Sequence, residues 1–216
     1  MMEKREFIPA LRYSWLTKIY NPVVAFTMPE LKFKSELIKQ ANIATNHKVL
    51  DFGVGTATLS LLLSKQQPDC YIEGVDVDEK ILGIAKEKID EQDAKIKLTK
   101  YDGIKLPYPD KTFDRVITSL VFHHLDSEQK KNSLEEIKRV LKSDGELHIA
   151  DWGKASNFLM RTLFYFVQFL DGFKTTNDNV KGLLPNYIEN AGFYEVKTTM
   201  NFSTIFGTLS LYKAKI

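Results

Sequence analysis

At 216 residues the chain is long enough for one substantial α/β domain with a small addition. Its net charge of +2, with 27% charged residues, excludes the broad basic footprint of a nucleic-acid binder. The single cysteine, Cys70, excludes an intramolecular disulfide, and the run MMEKREFIPALRYSW has no long apolar core, so a reducing cytoplasm is expected and a secretory signal is not.

In chain order, residues 1–28 are rich in aromatics and proline with weak periodicity. Pro29 suits a first helical turn, and Leu31, Lys34, Leu37, Ile38 and Ala41 follow at helical spacing. A strand is predicted over 47–52, a helix over 56–66 and a strand over 71–76. Asp78 is placed to cap a helix through Ile81, Leu82, Ala85 and Ile89. KIKLTKY (95–101) alternates with period two, and FDRVITSL (113–120) reads as another strand. Asp126 with Gln129 has the spacing of a capping box, and Leu134, Ile137, Val140 and Leu141 mark one helix face. Asp144-Gly145 is expected to stop that helix before the strand ELHIADW. This alternation predicts right-handed crossovers and a largely parallel sheet. YEVKTTMNF and TIFGTLSLYKAKI then follow without an intervening helix, so the sheet should end in an antiparallel hairpin. The expected fold is α/β, doubly wound and Rossmann-like, with seven mostly parallel strands.

VLDFGVGTATLS (49–60) joins a strand to a helix through Gly53 and Gly55. Glycine allows backbone to approach a ligand, and a helix N-terminus offers unpaired N–H groups and the positive end of the dipole. The dinucleotide pattern G-x-G-x-x-G requires a third glycine at position 58, which is Thr58. A pattern of acid-x-Gly-x-Gly-x-Gly fits better, with Asp51, Gly53 and Gly55 in place and Ala57 as the smallest departure from the third glycine.

Five segments in order, VLDFGVGTATLS, GVDVDEKIL (74–82), YDGIKLPYPDKTFDRVITSLVFHHL (101–125), EEIKRVLKSDGELHIADW (135–152) and NYIENAGFYEV (186–196), resemble the class I S-adenosylmethionine-dependent methyltransferases. The resemblance extends to the branch that includes ubiquinone and menaquinone methyltransferases. It implies S-adenosylmethionine as cofactor and S-adenosylhomocysteine as product. Asp51 would order the glycine turn near the ligand's amino end; its alternative role is to cap the following helix. Gly53 and Gly55 would meet the methionine and ribose portions. Position 57 is expected to serve helix–strand packing as much as ligand approach. Asp76 would take both ribose hydroxyls, since a carboxylate has two acceptor oxygens. Val77 would lie along the adenine, Asp102 would accept the adenine amino group, and the Gly103 N–H would reach a ring nitrogen; a simple turn role is the alternative for Asp102. Ser119, Leu120, His123 and His124 follow the fourth strand and should border the sulfonium. His123 and His124 are the candidates for moving a proton, against a packing or capping role. No Cys/His/carboxylate cluster has ligand spacing, and no metal is expected.

Residues 1–44 are expected to form an N-terminal helical cap, with Tyr13, Trp15 and Tyr20 as lid residues, and 45–216 the cofactor-binding domain. Residues 155–182 would cap the acceptor side: NFLMRTLFYFVQFLDGF is apolar nearly all round but too short to span a bilayer. The implied activity is in-line methyl transfer to a small apolar or amphiphilic acceptor, with at most transient membrane contact and no nucleic acid. The alternative is a binding module without turnover or a partner-dependent subunit. Oligomeric state is left open.

Overall fold

The computed structural model describes residues 30–154, 162, 165, 168, 173–204 and 207–216. Tyr13, Trp15, Tyr20 and most of 155–172 lie outside the described residues. The elements are α1 (Glu30–Ala41), β1 (Lys48–Phe52), α2 (Thr58–Gln66), β2 (Tyr71–Asp76), α3 (Glu79–Glu91), β3 (Ile96–Lys100), β4 (Phe113–Ser119), a 3-10 turn (Phe122–His124), α4 (Ser127–Val140), β5 (Leu141–Trp152), α5 (Phe173–Val180), α6 (Leu184–Asn190), β6 (Tyr194–Ser203) and β7 (Thr208–Lys215).

The strands form one sheet in the order β3-β2-β1-β4-β5-β7-β6. Only β7 is reversed: it runs antiparallel to β5 and to β6, while all other pairings are parallel. Alternate residues of the inner strands face opposite sides, which is why β1 is buried almost throughout. Val49, Ile117, Leu209 and Leu211 pack with Phe33, Leu37, Ile38 and Ala41 of α1 and Leu59 and Leu63 of α2. Leu50, Phe52, Val116 and Ala214 pack with Leu134, Ile137 and Val140 of α4 and Leu184 and Ile188 of α6. Val54, Ala57 and Leu61 join Leu82, Ala85 and Ile89 of α3 in a third cluster. Of the segment 1–44, α1 is therefore part of the main core, packed on β4, β5, β7 and α2.

The capping signals read from sequence are present. The Asp78 carboxylate accepts the Lys80 and Ile81 N–H groups, and Asp126 and Gln129 form a complete capping box. Two boundaries differ. α2 starts at Thr58 rather than 56, because Ala57 at its N-cap is left-handed (φ 61°). α4 ends at Val140 rather than at Asp144-Gly145, since Leu141 already pairs with Phe113 before the register shifts and Glu146 pairs with Arg115. Among the described residues no helix is long and apolar enough to cross a membrane.

Candidate functional site

The chain proceeds from β1 outward to β3, then returns to the other side of β1 as β4. Where strand order reverses this way, the connections at the carboxyl ends of the two inner strands diverge and leave a crevice. β1 runs into the Gly53–Gly55 turn there, and β4 into Ser119 and Leu120.

Gly53 and Gly55 both have positive φ (71° and 54°). Their surroundings differ. A Cβ on Gly53 would lie 2.9 Å from Val121 Cγ1 and closer still to Cγ2, whereas a Cβ on Gly55 would meet nothing within 4 Å. Gly53 is thus a packing glycine locking the turn to the exit of β4, and Gly55 borders open space. The Gly55 N–H donates to Asp76 Oδ2 at 2.9 Å and the Asp78 N–H to Asp76 Oδ1 at 3.0 Å. Asp76 is half-buried at the end of β2, and these bonds fix its rotamer while leaving lone pairs on both oxygens. Ala57 is fully buried and left-handed, so the demand for glycine at this position is conformational, not only one of helix–strand packing. The methyl group is tolerated at a strain of about 1–2 kcal/mol.

Asp51 is buried, and the Ser60 hydroxyl donates to its Oδ2 at 2.7 Å, tying β1 to α2. Burial pushes its carboxyl up to about 6, opposed by the Ser60 bond and by Lys34 and reinforced by Asp76. Lys34, which reaches in from α1, pairs with Glu30 at 2.6 Å and also donates to the Thr58 hydroxyl. Sequence reading did not single out Lys34; a lysine on the apolar stripe of α1 was the available signal.

Asp102 is exposed, and its Oδ1 accepts the Ile104 and Lys105 N–H groups at 2.8 and 2.9 Å, which hold its carboxyl below the usual range. It organises the turn after β3, and a Cβ on Gly103 would touch Val77 Cγ1 at 3.4 Å, so these two residues are adjacent. The Ser119 Oγ is buried with no partner among the described residues. Asp51, Gly53, Gly55, Asp76, Val77, Asp102, Gly103 and Ser119 all lie at the ends of β1–β4 or on the connections leaving them.

His123 and His124 occupy the 3-10 turn after β4, with ring centroids 3.9 Å apart. His123 is buried, and its Nδ1 is 2.9 Å from Asp151 Oδ1 at the end of β5. Asp151 also accepts N–H groups from Phe122 (2.7 Å), Trp152 (2.7 Å) and the Asn179 side chain (3.3 Å). Asp151 was read only as part of a strand, although an acid at the carboxyl end of a strand is the same signal that marked Asp51 and Asp76. The His124 imidazole is pushed well below its ordinary range by burial, with His123 and Lys130 adding to the effect. The other two histidines are placed elsewhere: His47 Nδ1 accepts the Ala44 N–H, and His148 lies between Gln40 and Glu146. Among the described residues no group of three His, Cys, Asp or Glu side chains is arranged to hold a metal.

Residues 49–145 match the family model for the methyltransferase domain. An uncharacterized protein of Haemophilus influenzae is 36% identical over 113 residues, covering 51% of this chain and 45% of that protein. A demethylmenaquinone methyltransferase of Listeria welshimeri is 29% identical over 133 residues, covering 61% of this chain and 55% of its own length. The chain thus spans about half the length of these curated relatives. The crystal structure of a SAM-dependent methyltransferase from Aquifex aeolicus superposes with a TM-score of 0.64 at 22% identity, covering 98% of this chain and all of that one, and so shares its fold. The motif region, its relatives and the seven-stranded sheet with one reversed strand agree in one likeness: residues 49–145 match a methyltransferase domain, and the chain is similar to the class I S-adenosylmethionine-dependent methyltransferases.

Proposed function

We propose that the protein binds S-adenosylmethionine at the carboxyl ends of β1–β4 and transfers its methyl group to a small apolar or amphiphilic acceptor, releasing S-adenosylhomocysteine. The observation that carries this reading is the bond from the Gly55 N–H to Asp76 Oδ2, which joins the glycine turn to the strand-end acid beside open space. A ribose diol brings two O–H donors, and Asp76 retains acceptor capacity on both oxygens. Ser119 Oγ supplies a further buried group in need of a partner. Val77 and Gly103 provide an apolar wall and a close backbone approach for a purine, with Asp102 at its rim. Asp51 and Ser60 hold the turn, with Lys34 close by as a counter-charge to a ligand carboxylate.

Bound there, the cofactor supplies a methyl group on an electrophilic sulfonium. The chain's own residues need only align the acceptor and exclude water. From the sequence alone we propose Tyr13, Trp15 and Tyr20, and the segment 155–182, as the acceptor-contacting part of the chain. The all-round apolar sequence NFLMRTLFYFVQFLDGF supports an apolar or amphiphilic acceptor. Calorimetric titration with S-adenosylmethionine, S-adenosylhomocysteine and NADH tests the reading. Micromolar binding of the two adenosyl ligands and none of NADH is expected; binding of NADH alone, or of none of the three, refutes it.

A further inference from the structure

His148 lies mid-strand in β5 and is wholly buried where α1 packs on the sheet. Its Nδ1 is 3.1 Å from Gln40 Nε2, and its Nε2 is 3.2 Å from Glu146 Oε2. The direction of the first bond is fixed from the Gln40 side. Gln40 Nε2 also donates to the Tyr212 carbonyl at 2.9 Å, a group that can only accept, while Gln40 Oε1 accepts from the Thr199 hydroxyl. The amide therefore directs one N–H at Tyr212 and the other at His148. His148 Nδ1 accepts, and the ring proton sits on Nε2, facing Glu146. A second proton on this ring would sit on Nδ1 and point at an N–H. Turning the amide over gives no relief, because Oε1 would then face the Tyr212 carbonyl.

We propose that Gln40 and His148 form an acid-operated latch, which holds the last turn of α1 to the sheet and lets go when the ring takes a proton. The charged groups facing the imidazole are Glu146 of its own strand, Lys213 of β7 and Arg115 of β4; α1 presents Gln40, backed by Thr199 of β6. Burial disfavours the charged ring, Glu146 opposes that effect, and Lys213 and Arg115 add to it. Glu146 is not reserved for an imidazolium, since Lys213 Nζ lies 3.0 Å and Arg115 Nε 3.6 Å from the same oxygen. A ring that is neutral when covered and takes up a proton when uncovered makes opening of α1 a proton-uptake step. The hold is complete above the ordinary histidine range, about 6.5, and weakens as pH falls below it, by up to about tenfold per pH unit. The same turn is also held by packing of Leu37, Ile38 and Ala41 and by the bond from Arg115 Nε to the Ala41 carbonyl at 2.8 Å, so the latch adds the proton-sensitive part. α1 carries Lys34 as well, whose Nζ donates to the Thr58 hydroxyl at the start of α2. The latch thus lies on the helix that braces the glycine turn.

Amide hydrogen exchange of the whole chain reads the hold on residues 30–41, expressed as protection factors so that the intrinsic pH dependence of exchange divides out. In wild type, protection of α1 should fall by up to about tenfold per unit as pH drops from about 6.5 to about 5, while β1 keeps its protection. His148→Asn retains an acceptor for the Gln40 amide but takes no proton, and its α1 protection should stay level over the same range. Ring-nitrogen NMR of histidine-labelled protein reads the four histidines separately, assigned by substitution. The neutral His148 ring should carry its proton on Nε2. Gln40→Met removes the N–H that opposes a proton on Nδ1, so His148 should titrate at a higher pH in that variant than in wild type. A neutral wild-type ring protonated on Nδ1 overturns the proposal. So does α1 protection that is independent of pH in wild type, that falls equally in His148→Asn, or that falls only in step with β1. If His148→Asn does not fold, the Gln40→Met titration decides: an unchanged or lowered midpoint overturns the latch, and a raised one upholds it.

Discussion

Gly53→Ala and Gly55→Ala are the same chemical change at two positive-φ positions two residues apart, yet the structure assigns them different consequences. Each puts an L residue in the left-handed region, at about 1–2 kcal/mol, offset by roughly 0.4–1 kcal/mol from the stiffer unfolded chain. At Gly55 nothing further is added, because a Cβ there meets open space. At Gly53 the new methyl overlaps both methyls of Val121, a β-branched side chain with little freedom to turn away. Overpacking of this kind adds about 1–3 kcal/mol. Gly55→Ala should therefore cost about 1 kcal/mol and roughly 2–4 °C in thermal unfolding, and Gly53→Ala about 2–4 kcal/mol and correspondingly more. Adding Val121→Ala to Gly53→Ala should recover most of the difference, seen as a coupling energy in a double-mutant cycle. Binding should invert the order. The methyl at position 55 enters the space assigned to the cofactor, and calorimetry should show at least about a tenfold loss of affinity, or 1.4 kcal/mol. Equal losses of stability at the two positions, or unchanged S-adenosylmethionine affinity in Gly55→Ala, would refute this division of roles.

Asp51 makes a pH-dependent prediction. Its folded-state carboxyl is raised from 3.8 to about 6, so the fold favours the protonated form, and stability from this group is lost as pH rises through that window. Asp51→Asn keeps an acceptor for Ser60 without the charge. It should unfold later than wild type by up to about 3 kcal/mol at pH 8 and about half that at pH 5. A gain that does not shrink on acidification contradicts the buried-charge explanation. Asp76→Ala should weaken S-adenosylmethionine binding by about 1.5–3 kcal/mol in the same calorimetric assay, and an unchanged Kd would move the ribose elsewhere. Asp126→Ala removes one half of a capping box and should cost about 1 kcal/mol in urea unfolding; no measurable loss would mean that α4 is held by packing alone.

Strand–helix alternation made the parallel core of the sheet legible, because the β1–β4 strands are short apolar or alternating runs punctuated by Gly, Asp and Asn. The terminal hairpin was legible for a different reason: two strand-like runs lie too close in sequence to be joined by a crossover. The candidate acids Asp51 and Asp76 announced themselves as charges at the ends of apolar strands. What escaped was information carried by dihedral angles and by tertiary pairing. Ala57 looks like a mild substitution in the sequence, and only its left-handed φ shows why glycine suits the position. Asp102 could be a ligand residue or a turn residue, and both readings share one geometry: Oδ1 makes the turn, and the carboxylate is exposed. Asp151 of β5 reaches His123, and Asn179 of α5 reaches Asp151, at sequence distances that no local pattern spans.

The reversed seventh strand also dictates an order of assembly. Among the described residues β6 pairs only with β7, which connects it to β5, while Gln40 of α1 donates to the Tyr212 carbonyl in β7. During synthesis β6 leaves the ribosome before the strand that must sit between it and the sheet. Until residues 208–215 follow, the nascent protein leaves open the edge of β5 and the edge of β6 that β7 will join. Both are templates for pairing with another chain. The β7 pairings thus seal elements made earlier, and the interval before they form exposes both edges to aggregation.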